Sequence, residues 1–114
     1  MEIQIGDAGG LETSGYSSMA ATGDNTGYSG TAGYAIGMDA EVGDAHSGII
    51  ELALKDATNN TWCLSGVIAD DNQTADTYMC GGVKSLSATL DRVSFATENG
   101  RTLDGGSIAI LTSE

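Results

Sequence analysis

The sequence predicts an all-β chain: an antiparallel β-sandwich, jelly-roll-like, with long Gly-rich loops in its N-terminal half. Three observations carry this. Apolar and polar residues alternate at a period of two through much of the second half. In IIELALKD, for example, Ile50, Leu52 and Leu54 share one face while Glu51 and Lys55 take the other. The chain has 17 glycines and no proline, and Ser, Thr, Asn and Asp separate the alternating runs, a composition of strands joined by turns. Its 114 residues suffice for one modest core, so residues 1–114 are expected to form a single domain.

Taken in order, EIQI (2–5) is the first expected strand and GYAIGM (33–38) the second. Between them lie the Gly-Tyr dipeptides at 15–16, 27–28 and 33–34, too unevenly spaced for a solenoid repeat. With few large apolar groups, residues 9–37 read as a Gly/Tyr-rich extended loop or arm ordered by contact with something else. IIELALKD is followed by the turn residues DATNN. TWCLSGVIA (61–69) then returns with Trp62, Leu64 and Ile68 on one side. The acidic run DDNQTAD (70–76) leads to TYMC (77–80). In SLSATLDRVSFAT, Leu86, Ala88 and Leu90 alternate before Val93 and Phe95 resume on the opposite parity, which predicts a bulge or corner at Asp91–Arg92. Asn99-Gly100 predicts a hairpin turn, and Ile108 and Ile110 a closing strand.

Charge narrows the partners. The net charge is −12 and no Lys or Arg occurs before Lys55, which argues against nucleic-acid or anionic-membrane binding, since phosphate contacts need positive charge. No apolar run reaches the length of a membrane-spanning helix, and no leader-like start is visible. Cytoplasmic synthesis is the resulting expectation.

Candidate chemistry is sparse. His46 is the single histidine, too few N/S ligands surround it in sequence for zinc, and no nucleophile elbow accompanies it. It is expected in a loop beside a strand. Two acidic clusters, Asp39, Glu41 and Asp44, and Asp70, Asp71 and Asp76, supply some of the oxygens that calcium requires. Neither has the EF-hand spacing, and solvated loops are the competing reading. No other cofactor is expected. Asp91 and Arg92 are neighbours, so on a strand they point to opposite faces, and Arg92 is expected to reach a carboxylate on another strand or subunit. If TWCLSGVIA and TYMC form a hairpin centred between Asp71 and Asn72, Leu64 faces Met79 and Cys63 faces Cys80, a candidate disulfide. Two buried thiols are the alternative.

The order of TWCLSG, GGVKSLSATLDRVSFATENG and LDGGSIAIL resembles the C-terminal half of small β-sandwich domains in tailed-bacteriophage virion proteins. There a tryptophan-bearing strand, here with Trp62, precedes a strand pair at Ser85–Phe95 and a hairpin at Asn99–Ile110. Leu103 stands where the family often has phenylalanine, and the turn before it is one residue shorter. IQIGDAGGLETSGY is similar to an early segment of the same domains. Such domains commonly begin one or two strands earlier, which implies a smaller sheet here or one that a neighbour completes.

The resemblance implies a non-enzymatic virion component, made in the host cytoplasm and released on lysis. The leading expectation is a capsid decoration or cement protein on the major capsid protein or other virion proteins. It would be a homo-oligomer, most naturally a trimer. The alternative is a tail- or head-fibre tip that binds a host glycan through exposed rings of Tyr16, Tyr28 and Tyr34, with Trp62 a core residue.

Overall fold

The computed structural model describes residues 1–23, 26–37, 45–70, 77–97, 102–103 and 105–113. Among these every regular element is a strand: β1 (Glu2–Asp7), β2 (Gly10–Leu11), β3 (Ser17–Thr22), β4 (Gly27–Gly30), β5 (Tyr34–Ala35), β6 (His46–Asp56), β7 (Thr61–Asp70), β8 (Thr77–Ser85) and β9 (Arg92–Ala96). They form two antiparallel sheets, an arrangement compatible with a β-sandwich. One sheet runs β4-β3-β8-β7-β6. In the other, β1 is central, with β9 along one side and the short strands β5 and β2 sharing the other.

Both inner faces feed one core. Ile3 and Ile5 of β1, Ala20 of β3, Tyr34 and Ala35 of β5, Leu64 of β7 and Cys80 of β8 pack together, with Tyr16, Ile36 and Leu86 from connections. The alternation read for β6 and β7 is the one adopted. Leu52 faces Leu64 and Leu54 faces Trp62 across the pair, which puts the even-numbered residues inward. The β6–β7 turn falls on DATNN, where the Asp56 carboxylate accepts from the backbone N–H of Thr58 (2.9 Å) and Asn59 (3.3 Å). Asn60 takes the left-handed conformation that asparagine tolerates, with φ of 49°.

Four expectations need correction. Residues 9–37, expected as an extended arm, carry β2, β3, β4 and β5. Tyr16 and Tyr34 take the place of aliphatic core residues, each with its hydroxyl satisfied. Tyr16 OH accepts from Ile5 N–H (2.8 Å) and donates toward the carbonyls of Glu12 (2.9 Å) and Ile5 (3.1 Å). Tyr34 OH donates to the Trp62 carbonyl (3.0 Å). The rings meet edge to face at 5.0 Å, and burial raises the phenol pKa of both above its ordinary value.

Second, β7 and β8 pair in a register displaced from the expected one. Leu64 faces Gly82, Gly66 faces Cys80 and Cys63 faces Val83. The shift is an odd number of residues, so it exchanges the two faces of β8. Tyr78 and Cys80 turn inward, while Met79 turns outward at 63% exposure. Cys63 and Cys80 therefore lie on opposite faces, and both are free thiols. Gly82 shows what selects this register: a Cβ there would sit 2.7 Å from Cδ1 of Tyr34 and 2.5 Å from Cβ of Ser18. The tyrosine ring needs the glycine beneath it.

Third, Leu86, Ala88 and Leu90 do not extend a strand. β8 ends at Ser85 and β9 begins at Arg92, so the expected corner occupies six residues that carry the chain from one sheet to the other, with Leu86 buried. Fourth, the closing strand is not formed. None of residues 105–113 lies in a strand, and Ile108, Ile110 and Leu111 are 57%, 70% and 95% exposed. Asn99-Gly100 falls outside the described residues.

Candidate interaction surface

Because the even residues of β6, β7 and β8 face inward, their odd residues lie on the outer face of the five-stranded sheet, and that mixed face carries one apolar row where water would favour polar groups. Register aligns Ile49 with Val67, Val67 with Met79, and Met79 with Ala21. The result is one row across four strands. Ile49 is 82% exposed. Met19 and Glu51 lie in the next row along that face and Val83 one row beyond, with Met19 and Val83 both exposed. A contiguous apolar stripe on a sheet is a mark of a contact surface, whereas single exposed apolar residues need no explanation. Methionines suit it, since their flexible thioethers adapt to a partner. In sequence, the acidic residues at 39–44 precede β6 and those at 70–76 begin with the last residue of β7, strands whose ends meet at the His46–Asp70 pair.

Two polar clusters complete the possible chemistry. His46 opens β6, rather than lying in a loop beside it, and its Nε2 stands 3.5 Å from Oδ2 of Asp70. That is an ion-pair distance, and Nε2 is buried without a hydrogen-bond partner. Asp70 is itself buried. The other calcium candidates, Asp39, Glu41, Asp44, Asp71 and Asp76, lie outside the described residues. Among the described residues no group of three or more His, Cys, Asp or Glu is placed to hold a metal.

The second cluster ties the two sheets together near the Tyr16 ring. Lys84 of β8 is buried, pairs with Glu12 through its ammonium, and lies 5.3 Å from the Tyr16 centroid. Glu12 also accepts from Ser87 N–H at 2.8 Å, and the Ser87 hydroxyl donates to Asp7 at 2.5 Å. Burial opposes the ionisation of Glu12, but Lys84 and the Ser87 N–H outweigh it and hold the carboxyl below its ordinary value. The Ser87 hydroxyl and the Gly9 N–H do the same for Asp7. With both carboxyls ionised and every partner accounted for, this cluster acts as an inter-sheet brace.

Asp91 and Arg92, expected to point apart, form a two-pronged pair with each other (2.7 and 3.2 Å). Asp91 precedes β9, so strand parity does not govern it. Of the three rings proposed for a glycan, Tyr16 and Tyr34 are buried at 4% and 0% exposure and offer no face to a sugar. Tyr28 is half-buried, its ring 6.3 Å from that of Tyr78. Trp62 is half-buried and packs against the core.

Among the described residues no helix is long and apolar enough to cross a membrane. Comparison with protein-family models, with curated proteins and with solved structures finds no match to this chain.

What the sequence pattern could not supply was the apolar row. Its members are single residues of separate strands, and only the register, three residues from the expected one in β8, brings Met79 beside Val67.

Proposed function

We propose that this chain is a non-enzymatic structural protein of a tailed-phage virion, a capsid decoration or cement protein that binds the assembled head. The observation that carries the reading is the row Ile49–Val67–Met79–Ala21, exposed at its first three members, on a sheet of an acidic chain. Such a face fits a broad protein surface better than a small substrate, and a chain of net charge −12 complements a cationic partner. The resemblance of Trp62, Ser85–Phe95 and Asn99–Ile110 to virion β-sandwich domains points the same way. In this reading the sheets are a jelly-roll-like sandwich, the protein is a homo-oligomer, most naturally a trimer, and its partner is the major capsid protein. Burial of Tyr16 and Tyr34 removes two of the three rings that a glycan-binding fibre tip would use.

Adding the protein back to bare heads tests this. A ligand of the assembled lattice stabilises it by mass action, so decorated heads should resist heat better than bare ones. The Met79→Asp variant should fold and lose that effect. Undiminished head binding by Met79→Asp would remove the apolar row from the account, and binding to host cells but not heads would replace the cement role.

A further inference from the structure

The two sheets are unequal, and the inequality is confined to one flank. β5 lies against β3, β4 and β8, which leaves β6 and β9 as the outer strands of the opposite flank. On that flank core-side residues are uncovered. Phe95 and Val93 of β9 face Ile3 and Ile5 across the pair with β1, so they point to the core side, yet they are 37% and 40% exposed. Leu54 of β6 has the same parity as Leu52 and is also exposed. β9 hydrogen-bonds to β1 along one edge, and among the described residues no strand occupies its other edge.

The same chain presents the complement. Residues 105–113, GGSIAILTS, contain no charged residue in a chain of net charge −12. Ile108 and Ile110 are spaced two apart, as Val93 and Phe95 are. A β-prone, uncharged, uncovered segment of this kind is an association hazard unless it is paired, and a free edge pairs readily with such a segment. Among the described residues both halves of this contact stand open together.

We propose that residues 105–111 of one copy add as an antiparallel strand along the free edge of β9 in a second copy, with Ile108 opposite Phe95 and Ile110 opposite Val93. That register puts all four side chains on the core side, aligns Ala109 with Ser94, and closes the open flank. Gly105 and Gly106 mark where the donated strand leaves its own body; Gly106, with φ of 99°, supplies a bend that other residues rarely adopt. Repeated head to tail, the donation closes into a ring wherever the rotation allows it. Mutual repulsion between acidic copies opposes the exchange, so salt strengthens it. The inference requires self-association, one part of the preceding reading, but no virion.

Two single substitutions test it on the full chain. Ser94→Cys and Ala109→Cys proteins, mixed and oxidised, should give a covalent dimer of twice the 11.5 kDa chain with a linked 94–109 peptide, which neither protein forms alone. Absence of that peptide on mixing, or its formation only within one chain carrying both substitutions, overturns the proposal. Sedimentation supplies an independent reading. Full-length protein should associate, more strongly in salt, and a chain ending at residue 104 should remain folded and monomeric. A full-length chain that is monomeric throughout, or association that survives the truncation, contradicts it. Head binding by a monomeric chain would leave the cement reading standing while this inference fails.

Discussion

Residues 9–37 and residues 102–113 exchange the roles their sequences suggest. The first segment is rich in glycine and poor in large aliphatic groups, yet it carries four strands and two tyrosines that are almost wholly buried. The second alternates apolar residues as a strand should, yet none of its described residues is paired and its isoleucines face water. The difference teaches that alternation records which face a residue would present, whereas a strand forms only where a partner edge and a covering layer exist. Tyr34 has both, through its hydroxyl on Trp62 and the space above Gly82. Ile110 has neither among the described residues.

The largest test of this contrast pairs one residue from each region. Tyr34→Ala removes a fully buried ring and should lower the free energy of unfolding by about 3–5 kcal/mol, the range for large-to-small aromatic substitutions. Ile110→Ala, measured in dilute protein, should change it by no more than about 0.5 kcal/mol, as for an exposed site. Urea titration of both variants decides, and comparable losses would break the comparison.

A smaller effect comes from the glycines. Gly82→Ala places a methyl group within 3 Å of Tyr34 and Ser18 and should cost about 1–3 kcal/mol by overpacking. Nothing lies within 4 Å of a Cβ built at Gly105, so Gly105→Ala should leave stability nearly unchanged. A neutral Gly82→Ala would mean that the β7–β8 register does not depend on the ring above it.

Acid should separate the regions as well. Glu12 and Asp7 both have pKa values lowered on folding from their ordinary 4.5 and 3.8, so in acid the folded state binds fewer protons than the unfolded one. The stability they contribute is full above those ordinary values and is lost as pH falls through the lowered ones. Glu12→Gln should flatten the acid limb of a stability-against-pH curve. Removing residues 105–113, which carry no titratable side chain, should not alter it. The smallest effect is expected at the exposed Asp91–Arg92 pair, where Asp91→Ala should cost no more than about 1 kcal/mol in thermal or urea unfolding.

How far the sequence could be read follows from the same physics. β1, β6 and β7 are legible because their period of two marks the inward face, buried in β1 and β7 and half-buried at Ile50 and Leu52 of β6, and the β6–β7 turn because Asp56 and Asn60 are residues with a turn chemistry of their own. The β7–β8 register was not legible. Leu64 opposite Met79 satisfies alternation as well as Leu64 opposite Gly82 does, and what decides between them is the Tyr34 ring, supplied from 48 residues away in sequence. Tyr16 and Tyr34 look like surface rings in sequence because they lie in a glycine-rich segment with few large apolar neighbours, although each hydroxyl finds backbone partners inside. The apolar outer row was hidden for the same reason as the register. The acidic clusters were easy to see in sequence, but of their six members only Asp70 is described, buried beside His46.

Amide hydrogen exchange measured at a dilution where the chain is monomeric tests the central contrast most directly. The amides of Ala20, Tyr34, Ala35 and Ile36 should exchange only through global unfolding, while those of Ser107–Leu111 should exchange close to the rate of an unstructured peptide. Rapid exchange at residues 18–36 together with protection at 107–111 would restore the arm and the closing strand, and would contradict the account.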